Sequence, residues 1–292
     1  MAALTSGYFS TEPVPVGTRI ACRVEYNGGQ YCGWQAQPDK PVATVQGALE
    51  SALASVAAAK VSVLCAGRTD TGVHGHAQIV HFDAVAERSS KAWVIGGNAN
   101  LPRDIRLHWA VPVSSDFHAR FSATFRSYRY IISNTAVRPA LLHDRVAWHR
   151  PALDAEKMQR AGQVLLGEQD FSAFRSAACQ SSSSMRNVHR VDIVRCGNWV
   201  VIEVCANAFL HHMVRNLVGS LLAIGDGRQP VDWLAEVLRG RDRTRAGETA
   251  PACGLYLAEV GYGQDFGLPP IPPGPDFPAS GEWVERATVK TV

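Results

Sequence analysis

The order of strand-like and helix-like patterns constrains this chain more than any single motif, because the order β-α-β-β-α-β runs through it twice. In the first copy, residues 19–26 alternate β-type side chains and stop at the turn signal Asn27-Gly28-Gly29. Val45, Ala48, Leu49, Ala52, Leu53 and Val56 then form one apolar stripe at helical spacing, with Thr44 as N-cap. A short buried strand over 61–66, a polar loop over 67–75, a strand over 78–83, a weaker helix over 89–99 and a strand over 105–113 complete the unit. The second copy has a strand over 124–133 and a helix over 154–166, then a hairpin of 188–195 and 199–205 across Cys196-Gly197-Asn198. A helix with Val214, Leu217, Val218, Leu221 and Leu222 on one face follows, then a short helix after Pro230 and a strand over 255–260. The expected fold is α+β: two related halves forming a mixed sheet flanked by helices, with a central cleft as the natural place for an active site. The expected divisions are a loose leader 1–17, an N-terminal half 18–115, a C-terminal half 116–263 and an extended tail 264–292, where six of 29 residues are proline.

A chain of 292 residues, 46% of them hydrophobic, can bury one large core or two smaller ones. Its net charge of +3 neither requires nor excludes a nucleic-acid partner. Local charge says more: between Phe117 and Arg150 stand six arginines against one acid, Asp144, with Phe117, Phe121, Phe125, Tyr128, Tyr130 and Trp148 among them. Arginines interleaved with aromatics suit phosphate contacts plus base stacking, although a solvated basic face over core aromatics has the same pattern. The seven cysteines include no CxxC pair, which argues against a zinc ribbon and a disulfide framework. The first seventeen residues lack the basic and long apolar regions of a signal peptide, and the best apolar stretch, 217–224, is too short to span a bilayer. The reducing cytoplasm is the expected compartment, with no membrane partner.

Four constellations could carry chemistry, the fourth of which, Ser181-Ser182-Ser183-Ser184, reads most simply as a flexible polar loop before a strand. Gly67-Arg68-Thr69-Asp70-Thr71-Gly72-Val73-His74-Gly75 is a polar loop bracketed by glycines between apolar strands, offering one cation and one carboxylate. By itself a D-T-G turn between strands is ordinarily structural. His74-Gly75-His76 with His81 nearby has the residue types of a metal site, but strand alternation puts His76, Gln78, Val80 and Phe82 on one face and His81 on the other. Arg215, in Phe209-Leu210-His211-His212-Met213-Val214-Arg215-Asn216, lies off the centre of its helix's apolar stripe, with Gly219 one turn on and nothing bulky to cover the guanidinium. Such an arginine could pair with a carboxylate from elsewhere, or be an ordinary boundary residue.

Taken together the motifs resemble the tRNA pseudouridine synthases of the bacterial A type. The matching strings run in order from Glu25-Tyr26 through Gly33-Trp34-Gln35, Cys65-Ala66-Gly67-Arg68-Thr69-Asp70, Asn98-Ala99-Asn100-Leu101-Pro102 and Phe117-His118-Ala119-Arg120-Phe121-Ser122-Ala123. They continue through Tyr128-Arg129-Tyr130, the Phe209–Asn216 string and Gly254-Leu255-Tyr256-Leu257, over about residues 18 to 279. The resemblance implies a cofactor-free homodimer that isomerises uridines at positions 38, 39 and 40 of the tRNA anticodon stem-loop, the tRNA lying across both subunits. It implies Asp70 as catalytic nucleophile, Arg215 as its ion-pair partner, and Tyr128 and Leu255 at the target uracil. Arg68 would help to displace the base, and Arg88, Phe117, His118, Ala119, Arg120, Phe121, Ala178, Cys179, Gln180, Ser181 and Ser182 would contact tRNA. It calls for no metal.

The chemistry makes sense of these residue types. Uridine must lose its N1–C1′ bond, turn, and rejoin through C5, so the base has to be flipped out of its stack. A carboxylate can attack C1′ or take the C2′ proton, and either role needs an ionised acid in a closed pocket. An aromatic lid keeps the detached uracil from escaping. The sequence departs from the family pattern in three places. Thr71 stands where alanine is usual, a small change expected to leave activity intact; Ser181-Ser182-Ser183-Ser184 replaces a loop that commonly carries a basic residue, so a weaker grip on tRNA is expected there; residues 280–292 run past the usual end. Two other readings give different expectations: an RNA-binding protein without catalysis would be indifferent to loss of Asp70, and a metal hydrolase built on His74 and His76 would be stopped by a chelator.

Overall fold

The structure, a computed structural model, describes residues 9–37, 39–272 and 274–275. These divide into two compact units: residues 9–124 with Leu257–Pro272, and Phe125–Tyr256 with residues 274–275.

In the first unit the sheet order is Ile105–Val113, Arg19–Tyr26, His74–Asp83 and then the returning stretch of Leu255–Gly261. The Arg19–Tyr26 strand pairs antiparallel with both neighbours, from Arg19 against Asp83 and Val113 to Tyr26 against Gly75 and Ile105. Its period-2 pattern turns Ile20, Cys22, Val24 and Tyr26 into one core with Val45, Leu49, Ala52 and Leu53 of the Val45–Ala57 helix, together with Trp93, Ile105 and Leu107. The helix begins where expected: Thr44 accepts the Gly47 N–H. Each fully buried leucine here contributes about 2 kcal/mol from removal of apolar surface from water.

Two strand expectations are corrected in this unit: the strand expected over 78–83 begins at His74, so His74 and Gly75 belong to it and not to the preceding loop. The strand over 61–66 shrinks to Leu64–Cys65, with Leu64 54% exposed. Val61 and Val63 are buried, but the Val63 N–H is taken by Glu50 Oε1 (2.9 Å), so the ladder cannot extend through it. The helix expected over 89–99 is present over 90–100, with a π-helical stretch, Ala92–Gly96, inside it and an α-turn over Gly97–Asn100 at its end. Gly96 and Gly97 let it approach the Val56 and Leu107 side chains to distances where any Cβ would collide or crowd.

The second unit orders its antiparallel strands as Phe125–Ser133, Trp199–Ala206, Met185–Cys196 and Gly167–Asp170. The two-residue strand Ala147–Trp148 runs parallel to Phe125–Ser133, which makes the pairing mixed. Gly167–Asp170 and Ala147–Trp148 escape sequence reading because one is polar and the other too short to show a period. The helix expected over 154–166 is Ala155–Gly162, capped by Asp154 on the Lys157 N–H, followed by the tighter turn Gln163–Leu165. The Met213–Gly225 helix is buried on nearly every side rather than along one face. Trp233–Gly240 and the final strand follow, as the second β-α-β-β-α-β order requires. Among the described residues no helix is long and apolar enough to cross a membrane.

Candidate active site

The Asp70 loop is held at four points. Gln78, fully buried, accepts the Gly67 N–H (3.3 Å) and donates to the Gly67 carbonyl (2.5 Å), closing the loop's entrance with one side chain. Thr69 turns inward, with its hydroxyl on Tyr26 Oη (2.8 Å) and its carbonyl accepting the Trp34 N–H (3.0 Å). The Val73 N–H closes the turn onto the Asp70 carbonyl (3.1 Å), with Gly72 at φ +78°. Gly33, at φ +82°, presses its backbone on Thr69–Thr71 so closely that a Cβ would lie 2.7 Å from the Thr69 carbonyl oxygen. With Thr69 anchored inward, Arg68 is exposed, Asp70 half-buried and Thr71 exposed. That exposure accommodates the hydroxyl and methyl of Thr71. The loop therefore presents a carboxylate and a guanidinium from a backbone fixed by neutral, buried hydrogen bonds.

The histidines near the loop are otherwise engaged. His74 is buried and its Nδ1 accepts the Gly28 N–H (3.0 Å). A register shift between Val24 and Tyr26 breaks the alternation of His74–Asp83, so His76 does not share a face with Gln78, Val80 and Phe82 as expected. It emerges instead beside Arg23, whose guanidinium meets its ring Nε2 (3.2 Å) and carbonyl, with the Pro272 carbonyl also on Nε2 (3.2 Å). Burial, with Arg23 beside it, pushes the His76 pKa down.

Residues 117–121 form a small aromatic platform. Phe117 is buried against Tyr262 and Phe266, and Ala119 is clamped between His81, whose Nδ1 accepts its N–H (3.1 Å), and Tyr262, whose hydroxyl donates to its carbonyl (2.6 Å). His118 Nδ1 accepts the Arg120 and Phe121 N–H groups, and its ring lies 4.4 Å from that of Phe121. Phe121 is 76% exposed with the Arg120 guanidinium over its ring at 5.5 Å, an open stacking surface with a cation beside it. Burial pushes the His81 pKa down to about 4, helped by His118 and Arg19, which leaves Nδ1 its lone pair. Burial raises the Cys65 thiol to about 11 against the pull of Arg68 and Arg120, so both guanidiniums act on the same buried sulfur. Arg88 is placed differently: half-buried, it donates to the Val56 carbonyl (2.9 Å) and closes the end of the Val45–Ala57 helix, and also to the Glu87 carbonyl (2.9 Å).

In the second unit Tyr128, half-buried on the Phe125–Ser133 strand, meets Phe209 edge-on at 5.0 Å. Leu255 is buried at the start of the last strand. Arg215 opens the Met213–Gly225 helix after His212, at φ +62°, and its Nε donates to the Ala250 carbonyl (2.7 Å) while the Ala250 N–H returns to the Arg215 carbonyl (3.1 Å). Gly219 does not leave the guanidinium uncovered, as expected; it admits the passing 247–250 backbone, since a Cβ there would lie 1.7 Å from the Glu248 carbonyl oxygen.

The segment over Ala178, Cys179, Gln180, Ser181 and Ser182 is stitched by two arginines that sequence reading passed over. Arg175 Nη2 donates to the Cys179 and Ser181 carbonyls (2.8 Å each), and Arg186 donates to Ser181 Oγ (2.8 Å) and to the Ser183 and Met185 carbonyls. Burial, with Arg175 adding to it, lowers the Arg186 pKa. Cys179 Sγ accepts the His211 N–H (3.4 Å). Burial opposes ionisation of that thiol, yet N–H donors from His211 and Ser181 and the Arg175 guanidinium bring its pKa below the usual value. The signal was available, since both arginines lie within three residues of the serine-containing stretch 178–184. The six arginines between Phe117 and Arg150 do not form one stripe: Arg129 is buried in an ion pair with Glu203 (3.0 Å), Arg126 binds the Asn207 carbonyl, and Arg120 lies over Phe121.

A sequence model of the tRNA pseudouridine synthase family matches residues 23–122 and 161–263. The chain is 54% identical over 262 residues to tRNA pseudouridine synthase A of Actinobacillus pleuropneumoniae serotype 7 (strain AP76), covering 90% of this chain and 99% of that one. It is 54% identical over 259 residues to the protein of the same name from Vibrio cholerae serotype O1 (strain O395), covering 89% of this chain and 97% of that one. It is 52% identical over 259 residues to that of Legionella pneumophila (strain Lens), covering 89% and 98%. The Asp70 loop, the 117–121 platform and the Arg215 helix all fall inside the matched segments, and the chain belongs to the tRNA pseudouridine synthase family.

Proposed function

We propose that this protein isomerises uridine to pseudouridine in tRNA at positions 38, 39 and 40 of the anticodon stem-loop, working as a cytoplasmic homodimer. The observation that carries the reading is the Asp70 loop: a half-buried carboxylate two residues from an exposed arginine, on a backbone locked by Gln78, Tyr26 and Gly33, within a chain of this family. In this reading the target base leaves its stack and Arg68 takes its place beside the phosphates, at a cost of a few kcal/mol for unstacking. Asp70 attacks C1′ or removes the C2′ proton. The N1–C1′ bond breaks, the uracil turns, the C5–C1′ bond forms, and the C5 proton departs as N1 is protonated. Arg215 is the ion-pair partner of Asp70, and Tyr128, buttressed by Phe209, covers the detached uracil together with Leu255. Phe121 with Arg120 gives a stacking surface for RNA, and the Arg175–Arg186 loop gives cations that the serine run itself lacks.

The test of position is a set of tRNAs carrying a single uridine at 38, 39 or 40, mapped nucleotide by nucleotide for pseudouridine after incubation with the protein. Conversion confined to those positions supports the assignment. Conversion elsewhere in the tRNA, with these uridines untouched, would move the target while leaving the reaction in place. Sedimentation of the free protein tests the homodimer separately.

A further inference from the structure

We infer that Thr249, Asn216 and Arg243 form a positioning set that holds the Arg215 side chain through the Ala250 carbonyl; the inference rests on the reading of Arg215 as the counter-ion of the catalytic carboxylate. The geometry lies wholly within the second unit. Arg215 touches Ala250 twice, by its Nε on the Ala250 carbonyl and by its own carbonyl accepting the Ala250 N–H. Where Ala250 lies thus sets the position of the Arg215 Nε. Ala250 is itself held by its neighbour: Thr249 Oγ1 donates to Asn216 Oδ1 (2.7 Å), one residue along the helix from Arg215. Arg243 closes a triangle, with Nη2 donating to both Asn216 Oδ1 and Thr249 Oγ1 (3.0 Å each) and Nη1 to the Gly247 carbonyl (3.0 Å). The Gly247 N–H reaches Ser220 Oγ (2.9 Å), and the contact is possible because neither Gly219 nor Gly247 carries a Cβ.

Asn216 is the hub. Its side chain is 1% exposed and its Nδ2 donates to the Phe174 carbonyl (2.8 Å), so its amide cannot turn without leaving a buried group unpaired. Thr249, by contrast, is exposed, so its hydroxyl can be removed without opening the core. An arginine that must stand at a fixed distance from a carboxylate gains from such bracing, because misplacement by about 1 Å can cost two orders of magnitude in rate.

The experiment compares the parent, Thr249→Val, Thr249→Ser, Arg215→Lys and the Thr249→Val/Arg215→Lys double variant. It measures single-turnover rates on saturating tRNA, tRNA affinity and melting temperature. The expected result is a fall of about threefold to tenfold in the Thr249→Val rate, a fraction of the roughly hundredfold loss that a misplacement of about 1 Å can cause. Affinity stays level, the melting temperature falls by the same small amount with or without Arg215→Lys, Thr249→Ser restores the rate, and Thr249→Val costs less than about twofold in rate in the Arg215→Lys background, where the guanidinium it positions is gone. An equal loss in both backgrounds, or one that tracks melting temperature, overturns the positioning role while Arg215 stands. Arg215→Lys turning over at the parent rate overturns the reading of Arg215 and this inference with it.

Discussion

The loop carrying Asp70 and the loop running from Arg175 to Arg186 are both polar and short of regular structure, yet they are built on opposite principles. The first is fixed by neutral partners buried beneath it: the Gln78 amide on Gly67, the Tyr26 hydroxyl on Thr69, and Gly33 against Thr69–Thr71. The second is fixed by two guanidiniums donating to its own carbonyls and to a serine hydroxyl. Neutral buried bonds hold one geometry and are indifferent to salt, as placing a carboxylate requires. Guanidinium–carbonyl bonds near solvent can be exchanged for phosphate contacts at little cost, as gripping a polyanion requires.

Four changes would break or sharpen that contrast. Gly33→Ala is expected to lower the single-turnover rate about a hundredfold with tRNA affinity within about twofold, because a Cβ at 2.7 Å from the Thr69 carbonyl oxygen must push the Asp70 turn aside. Loss of affinity without loss of rate would make that loop a grip instead. Gln78→Leu removes both bonds to Gly67 and is expected to lower stability by about 2–4 kcal/mol in thermal melts. Acid should weaken the first unit through His81. Its folded pKa of about 4 lies below its ordinary 6.5, so the contribution is full above pH 6.5 and is lost as pH falls towards 4. A loss of about 2 kcal/mol over that window, removed by His81→Gln, is the expected melt profile. Arg175→Ala should weaken tRNA binding about threefold to tenfold and make its salt dependence shallower by about one unit of slope, with the rate on saturating tRNA unchanged.

The contrast also marks what the sequence makes legible. Although the strand after the Asp70 loop begins at His74, inside the stretch expected to be loop, the Val45–Ala57 helix could be read because its stripe and its Thr44 cap are local. The hairpin at Cys196-Gly197-Asn198 was legible for the same reason. What holds the Asp70 loop was not: Gln78 and Gly33 act from 11 and 36 residues away from Gly67 and Thr69, and nothing in their own neighbourhoods marks them. The register shift that moves His76 beside Arg23 is a property of strand pairing, invisible to alternation along one strand. The strand expected over 61–66 was lost to a single side chain, Glu50, competing for the Val63 N–H. Arg175 and Arg186 flank the serine run in sequence, but their role depends on the loop folding back so that its carbonyls meet both guanidiniums.

If Asp70 performs the isomerisation at C5, tritium release from [5-³H]uridine-labelled tRNA depends on it. The parent and Asp70→Ala are compared in EDTA, with melting curves showing that both are folded. Release by the parent and none by the variant is the expected result. Equal release from both would contradict the role of Asp70, and no release from the folded parent on tRNAs bearing anticodon-stem uridines would contradict the reaction itself.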